Sequence, residues 1–205
     1  MTHDSRLTTI WLARHGEVHN PGGLLYGRLP RIRLSPEGRR QAQGLADVLA
    51  ARPIQAVYSS PMLRARKTAE LVAARHQTRV RIDRDLMEIR TGWQGEPLAD
   101  LERINWDFYA HPRSADDETI QAIHERMRRW LDRVLKRHAG GEVVGISHGD
   151  PILILVGGLR GLPLEGRRLF PTPYIRPATV FRLDFDAARQ CRAIEELVPY
   201  EDLAA

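Results

Sequence analysis

The sequence predicts an α/β fold, a three-layer sandwich whose central sheet is mostly parallel, with helices on both faces and an antiparallel hairpin at the carboxyl-terminal edge. Two observations support this prediction. Short apolar runs typical of buried strands alternate with longer segments whose apolar residues keep helical spacing. Residues 180–185 and 192–198 instead form two short extended stretches with a polar connection, and this pattern indicates a hairpin.

Length and composition suit one domain over residues 1–205, with 42% hydrophobic and 28% charged residues. No run approaches the roughly 18 apolar residues of a membrane span. The polar residues 1–6 are not followed by the apolar core of a signal peptide. The single cysteine, Cys191, cannot form an internal disulfide. We therefore expect a cytoplasmic protein.

The charge of the chain does not indicate a nucleic-acid partner. Lys and Arg number 31 against 26 Asp and Glu, which gives a net charge of +5. Basicity is typical of nucleic-acid-binding proteins, but here the arginines are spread along the whole chain without a five-residue basic run. We expect no nucleic-acid or membrane partner. The oligomeric state stays open, and a homodimer is compatible with the sequence.

The first predicted strand ends in the residues on which the functional hypothesis rests. Residues 8–13 form a β-prone apolar run, and Arg14, His15 and Gly16 follow directly. Gly16 permits a sharp turn, and ligands of parallel sheets bind beyond the carboxyl ends of strands. A cation at a buried strand end is costly unless an anion binds there. We hypothesise that His15 attacks phosphorus while Arg14 holds the phosphoryl oxygens; the alternative is a hydrogen-bonded loop histidine beside a surface arginine.

Two Ser-Pro pairs predict the starts of the first two helices. Ser35 would cap a helix with one apolar face, formed by Ala42, Leu45, Val48 and Leu49. After a strand at 54–59, Ser60 repeats the signal and places Arg64 in the first turn of the second helix. Because helical side chains lean toward the amino terminus, Arg64 is expected to point toward the same sheet edge. A solvated helix arginine is the alternative.

Glu88 is a candidate proton donor. It follows a predicted third strand at 78–82 and lies among apolar residues. Burial among such neighbours raises the pKa of a carboxyl group and suits it to general acid catalysis. The alternative is a loop glutamate paired with an arginine.

A second histidine repeats the pattern of the first. After an amphipathic helix with apolar residues from Ile120 to Leu135, a strand at 142–147 ends in His148 and Gly149. Asp150 is then expected to be an N-cap, followed by proline at the first helical position. His148 would thus stand at a strand end and a helix amino terminus, where anions bind. A lone histidine here would more often be structural, but two matched strand-His-Gly units favour a functional role.

In order along the chain, these motifs resemble the histidine phosphatase superfamily, the phosphoglycerate-mutase-like proteins, and most of all its small bacterial phosphatases. The matching segments cover most of the chain to about residue 160 and are Arg14–Glu17, Leu34–Ala42, Ser59–Ala65, Lys67–Ala69, Leu86–Glu88, Gly92–Gly95 and Ser147–Gly149. Gly27-Arg28-Leu29 replaces the family's usual Gly-Trp-Gln after the first loop.

The resemblance implies a role for each candidate residue. His15 would be the nucleophile and form a phosphohistidine, Glu88 would protonate the leaving oxygen, and His148 would be the third catalytic residue. Arg14, Arg64 and His148 would bind the phosphate. The residues expected to bind the substrate are Arg14, Asn20, Arg64 and Gly149. Asn20 lies one residue closer to the first motif than is common in the family.

This residue set needs no metal and no cofactor. Phosphoryl transfer depends on positioning and charge stabilisation, which the two arginines, helix amides and, if it is protonated, His148 would supply. A rival metal site on His15 and His19 would want helical spacing, and Pro21, Gly22 and Gly23 break it.

Three functions are compatible with the motifs. The first is a phosphomonoester hydrolase acting on a small molecule. The second is a cofactor-dependent phosphoglycerate mutase; mutases of this family typically carry more sequence than the 60 positions that separate Glu88 from His148 here. The third is a binding or regulatory protein on a catalytically inactive scaffold, which the intact catalytic residues disfavour. We expect the hydrolase.

Overall fold

A computed structural model describes residues 7–199; the polar segment 1–6 and both ends of the predicted 1–205 domain lie outside the described residues. Its centre is a six-stranded sheet in the order β3-β2-β4-β1-β5-β6. The strands are β1 (Thr8–Arg14), β2 (Ile54–Ser59), β3 (Val80–Ile82), β4 (Glu142–Ser147), β5 (Val180–Phe185) and β6 (Cys191–Leu197). Strands β1 to β4 are parallel, whereas β5 and β6 pair antiparallel. The predicted mostly parallel sheet and its edge hairpin are confirmed.

Helices fill the connections between the strands. They are α1 (Pro36–Leu49), α2 (Leu63–Arg75), α3 (Leu98–Glu102), α4 (Ile120–Arg137) and α5 (Gly149–Leu159), with short 3-10 helices at Arg84–Leu86 and Gly166–Leu169. Ser35 caps α1 as predicted, because its Oγ accepts a hydrogen bond from the Gly38 amide at 2.9 Å. The short helix α3 is an addition to the predicted elements.

The helices pack on both faces of the sheet, which confirms the three-layer prediction. Strand β1 shows this best, because its side chains alternate between two buried clusters. Trp11 and Ala13 pack with residues of α1 and α2, whereas Ile10 and Leu12 pack with residues of α4 and α5. All four are at most 2% exposed. Burying a side chain of the size of Ile10 stabilises the fold by about 1.5–3 kcal/mol.

Helix α4 buries the apolar stripe that its sequence predicts. The residues are Ile120, Ile123, Met127, Trp130, Leu131, Val134 and Leu135. Thr119 caps the helix, since its Oγ1 accepts from the Ala122 amide at 3.1 Å. On the facing strand, a Cβ at Gly145 would lie 2.6 Å from Cη2 of Trp130. The absence of a side chain at 145 therefore makes room for this indole.

Several local predictions were wrong. Helix α2 begins at Leu63 rather than after Ser60, and its N-cap Met62 makes no side-chain cap bond within the described chain. Asp150 is not an N-cap either, because α5 begins at Gly149 with His148 at the cap position. Val48, expected on the apolar face of α1, is 41% exposed. Strand β3 spans three residues instead of five.

None of the helices within residues 7–199 combines the length and apolar character needed to cross a bilayer.

Candidate active site

Three parallel strands end side by side, and each is followed by a side chain of the site. His15 follows β1, Ser60 follows β2 and His148 follows β4, which lies between the other two. Arg64 reaches the same point from the first turn of α2, as predicted. Glu88 completes the group from the segment that follows β3. The sheet edge thus brings together residues from four separate parts of the chain.

The ring of His15 has one anchored nitrogen and one reactive nitrogen. Nδ1 lies 2.7 Å from the Gly16 carbonyl oxygen and therefore carries the proton, which leaves a lone pair on Nε2. That lone pair accepts a hydrogen bond from Nε of Arg64 at 3.1 Å. A Cβ on Gly16 would lie 2.2 Å from the Gly38 carbonyl oxygen. Glycine is required here because two backbones meet.

Arg64 is fully buried and still has a free donor. Its Nη2 donates to the Gly27 carbonyl at 2.7 Å and lies 3.2 Å from Nδ1 of His148. The Tyr26 ring covers the guanidinium, with 4.7 Å from Cζ to the ring centroid. Among residues 7–199, Nη1 finds no hydrogen-bond partner. Because an unpaired buried donor is costly, this atom marks a place for an anion.

Arg14 offers a second free donor beside His15. Its Nη1 donates to the Ile175 carbonyl, and its Cζ lies 5.1 Å from the centroid of the Tyr174 ring. Its Nε is buried and has no partner in the described part of the chain. Two guanidinium groups with unpaired donors therefore lie near His15, an arrangement that suits phosphoryl oxygens.

His148 presents the opposite nitrogen to Arg64. Its Nε2 lies 2.8 Å from Oγ of Ser60, so Nε2 carries the proton and Nδ1 accepts from Arg64. Burial, and then the charge of Arg64, hold the pKa of His148 well below its usual range. The direction of this shift favours a neutral His148.

Glu88 lies at the partly exposed side of the group. Its Oε2 is 3.6 Å from Nδ1 of His148 and 3.8 Å from Nη2 of Arg64, while Oε1 accepts from the Ile89 amide at 3.0 Å. The side chain is 14% exposed, whereas those of Arg64 and His148 are fully buried. A substrate's leaving group would therefore lie on the Glu88 side.

Two arginines hold the backbone that carries Glu88. Arg28 Nε donates to the Glu88 carbonyl at 2.7 Å, and Arg126 Nη1 donates to the Met87 carbonyl at 2.7 Å. Both arginines also pair with the carboxylate of Glu118, at 2.7 Å and 3.0 Å. Arg28, which stands where Gly-Trp-Gln was expected, thus has a physical role here, because it ties its loop to the backbone of Glu88.

The pKa shifts of His15 and Glu88 run in the directions that catalysis needs. Burial, with Arg64 and Arg14, holds the pKa of His15 well below its usual 6.5. Burial raises the pKa of Glu88 above its usual 4.5, against the opposing charge of Arg64 and with help from Asp150. Both shifts favour a neutral imidazole on His15 and a protonated carboxyl on Glu88.

Asn20 and Gly149, which were predicted to bind the substrate, make contacts within the protein. The Asn20 amide is used within its own loop, because Nδ2 donates to the Leu24 carbonyl at 2.9 Å and Oδ1 accepts from the Leu24 amide at 3.2 Å. Gly149 lies next to His148 at the first position of α5. A Cβ there would lie 2.0 Å from the Tyr174 hydroxyl oxygen. Substrate binding by Asn20 and Gly149 stays a prediction.

Sequence reasoning missed several partners of these residues. Ser60 was assigned to a helix cap, yet its hydroxyl bonds His148. Tyr26 and Tyr174, which cover the two arginines, lie in irregular segments without periodicity. The Tyr174 and Tyr109 hydroxyls donate to the two carboxylate oxygens of Asp150. In the sequence, only the position of Asp150, directly after a strand-His-Gly unit, could have indicated that this carboxylate has polar partners near the site.

The same group has the composition of a metal site. His15, Glu88 and His148 each offer one possible ligand atom, and these three atoms lie within 4.8 Å of one another. However, the lone pairs that would bind an ion, on Nε2 of His15 and Nδ1 of His148, accept hydrogen bonds from Arg64. A guanidinium already lies where an ion would bind, so this donor set fits an anion better than a cation.

Several known proteins are similar to this chain in sequence or in fold. The profile of the histidine phosphatase superfamily (branch 1) matches residues 10–195. The Mycobacterium tuberculosis protein Rv0525 is 39% identical over 191 residues, 89% of this chain and 92% of that protein. The adenosylcobalamin/alpha-ribazole phosphatase of Escherichia coli K12 is 30% identical over 165 residues, 76% of this chain and 81% of that protein. The solved complex of mycobacterial glucosyl-3-phosphoglycerate phosphatase with VO3 has a TM-score of 0.78 at 26% identity, covering 91% of this chain and 96% of that chain. The chain belongs to the histidine phosphatase superfamily.

Proposed function

We propose that the protein hydrolyses small phosphomonoesters through a phosphohistidine on His15. The observation that carries this proposal is the unprotonated Nε2 of His15, which accepts only from Nε of Arg64 in the described chain, beside two unpaired guanidinium donors, Nε of Arg14 and Nη1 of Arg64. These donors suit phosphoryl oxygens, and the nucleophile is held neutral between them. The names of the E. coli relative and of the mycobacterial structure support a hydrolase.

In the first half-reaction, Nε2 of His15 attacks phosphorus while the bond from phosphorus to the ester oxygen breaks. Glu88 gives its proton to that oxygen, and the alcohol leaves. The guanidinium groups of Arg14 and Arg64 stabilise the charge on the phosphoryl oxygens, and the Nε2–H of His148 stays engaged with Ser60. The Gly16 carbonyl accepts from Nδ1–H as positive charge develops on the ring.

In the second half-reaction, water attacks the phosphohistidine. The Glu88 carboxylate takes a proton from that water, the bond between phosphorus and Nε2 breaks, and inorganic phosphate is released. His15 is neutral again and Glu88 is protonated again, so the cycle closes without an added reactant.

We also propose that the chain acts as a single domain in the cytoplasm, without metal, cofactor, nucleic acid or membrane.

Rapid quench with a labelled phosphomonoester tests the proposal. We expect an acid-labile, base-stable adduct on the wild type and none on His15→Ala, whose fold is checked by circular dichroism. Turnover without an adduct, or an active His15→Ala, would contradict the nucleophile assignment. In parallel, 3-phosphoglycerate with a 2,3-bisphosphoglycerate primer should release phosphate rather than isomerise, which separates the hydrolase from a mutase.

Two inhibitors test the anion site. Vanadate and inorganic phosphate should compete with substrate, because both would accept from Arg14 and Arg64. EDTA should leave turnover unchanged, because the proposed charge stabilisers are protein groups. Loss of activity that zinc or magnesium restores would instead favour a metal bound by His15, Glu88 and His148.

A further inference from the structure

The orientation of Arg14 depends on a segment far from it in sequence. Its Nη1 donates to the Ile175 carbonyl, and its guanidinium lies over the ring of Tyr174, 5.1 Å from the centroid. Its Nε is left free for an anion. The dipeptide Tyr174–Ile175 thus supplies both described contacts of this guanidinium, one through a ring face and one through a carbonyl.

The dipeptide is in turn attached to the start of α5. The Tyr174 hydroxyl donates to Oδ1 of Asp150, which is 7% exposed and lies two positions after His148. The Tyr109 hydroxyl donates to Oδ2 at 2.7 Å, and its ring stacks on Phe170 at 5.6 Å with an interplanar angle of 3°. Both carboxylate oxygens are therefore acceptors for hydroxyl groups.

The fit around Tyr174 is tight. A Cβ at position 149 would lie 2.0 Å from the Tyr174 hydroxyl oxygen, so the glycine after His148 admits this hydroxyl to the helix start. Although Tyr174 as a whole is 40% exposed, its hydroxyl end points to Asp150. Desolvation there, together with the Asp150 charge, raises the pKa of Tyr174 well above its usual range, so the hydroxyl keeps its proton. A charge-assisted hydrogen bond then fixes the ring, and the ring fixes Arg14.

We propose that Asp150 is a positioning residue which, through the Tyr174 hydroxyl, orients the Arg14 guanidinium toward the phosphoryl group. The proposal rests on the proposed function, because it assigns Arg14 to the substrate phosphate. It also explains why an aspartate follows the second histidine: its carboxylate joins the segment that orients Arg14 to the helix start beside His148.

Charge and position make opposite predictions for Asp150. A carboxylate near a bound phosphate repels it, so removal of Asp150 should strengthen phosphate binding if charge alone matters. If Asp150 acts through Tyr174, removal should weaken binding. Tyr174→Phe removes the hydroxyl without changing any charge, and it keeps the ring over Arg14. This variant therefore isolates the positioning effect.

The experiment measures the dissociation constant of inorganic phosphate by isothermal titration calorimetry, together with kcat and KM for p-nitrophenyl phosphate. We expect Tyr174→Phe to weaken phosphate binding about tenfold and to raise KM more than it lowers kcat. Tyr58→Phe is the matched control, because it removes a hydroxyl bonded to Nε2 of His138, a residue outside the site. This control should bind phosphate as the wild type does.

A double-mutant cycle with Arg14 distinguishes positioning from a general loss of structure. In the Arg14→Ala background, Tyr174→Phe and Asp150→Ala should cause no further loss of phosphate affinity. Additive losses, or tighter phosphate binding in Asp150→Ala, would overturn the proposal. Failure of the proposed function is distinct, because the wild type itself would then neither bind phosphate nor turn over.

Discussion

The two strand-His-Gly units of this chain look alike in sequence and differ in structure. In each, an apolar strand ends in a histidine and a glycine at the same edge of the sheet. His15 anchors Nδ1 on a backbone carbonyl and turns Nε2 toward Arg64. His148 anchors Nε2 on the Ser60 hydroxyl and turns Nδ1 toward the same guanidinium. Opposite nitrogens of the two rings therefore face one cation.

The glycines also differ in purpose. Gly16 lets the loop after β1 touch the backbone of α1, where a Cβ would meet the Gly38 carbonyl oxygen at 2.2 Å. Gly149 begins a helix and leaves room for the Tyr174 hydroxyl. The His15 ring thus takes its anchor from a backbone carbonyl, although Oγ1 of Thr68 also accepts from the Gly16 amide at 3.2 Å, whereas the His148 ring takes its anchor from a side chain elsewhere in the chain. A nucleophile that must keep one geometry through two half-reactions suits the first kind of anchoring.

The largest expected effect separates the two histidines. His15→Ala should reduce turnover to the background level, because no other described group can accept the phosphoryl. His148→Ala should leave adduct formation detectable and slow turnover by about 10²–10³-fold, since one hydrogen-bonding group is lost near the developing charge. Steady-state kinetics and rapid quench on both variants measure this difference. Equal residual activity would show that the two units are not distinct in function.

The next prediction concerns the proton donor, which contacts only the second unit directly. Glu88→Gln should slow alkyl phosphates about 10²–10⁴-fold more than p-nitrophenyl phosphate, because nitrophenolate leaves without a proton. Glu70→Gln, an exposed glutamate paired with Lys67, is the matched control and should be neutral. If both substrate types slow by the same factor, Glu88 only orients the phosphate.

The pH profile sharpens the same prediction. Turnover needs neutral His15 and protonated Glu88. The lowered pKa of His15 moves the acid limb below pH 6.5, and the raised pKa of Glu88 moves the alkaline limb above pH 4.5. In Glu88→Gln, the alkaline limb for alkyl esters should flatten while the acid limb stays. If the alkaline limb persists in Glu88→Gln, a group other than Glu88 causes the loss of activity at high pH.

The sequence predicted the sheet and the meeting of His15, Arg64, Glu88 and His148, because strand ends fix where these side chains lie. It could not predict their partners. The bond between Ser60 and His148 joins residues 88 positions apart, and no local pattern encodes it. The wrong prediction that Ser60 caps α2 has the same cause. A serine before a proline is typical of a helix start, and nothing local shows that its hydroxyl bonds a distant histidine instead.

The smallest expected effect tests the anchor of the second unit. Ser60→Ala removes the acceptor of the His148 Nε2–H in a fully buried place. The Nε2–H is then left without a partner, while Nδ1 still accepts from Nη2 of Arg64 and therefore stays unprotonated. We expect kcat/KM to fall about tenfold, in line with one unsatisfied buried group. Nitrogen NMR of the His148 ring should report the loss of the Nε2–H hydrogen bond, while the proton stays on Nε2.

The control for this variant is its neighbour. Ser59→Ala removes an equally buried hydroxyl, one that donates to the Ser60 carbonyl at 2.8 Å instead of contacting His148. It should preserve both the Nε2–H hydrogen bond of His148 and kcat/KM. Because His15 takes its anchor from the backbone, no side-chain substitution can release its Nδ1 in the same way, and its tautomer should be unchanged in Ser60→Ala. A shift of the His15 tautomer in that variant would show that the two units share one anchor through Arg64, and the contrast between them would then be wrong.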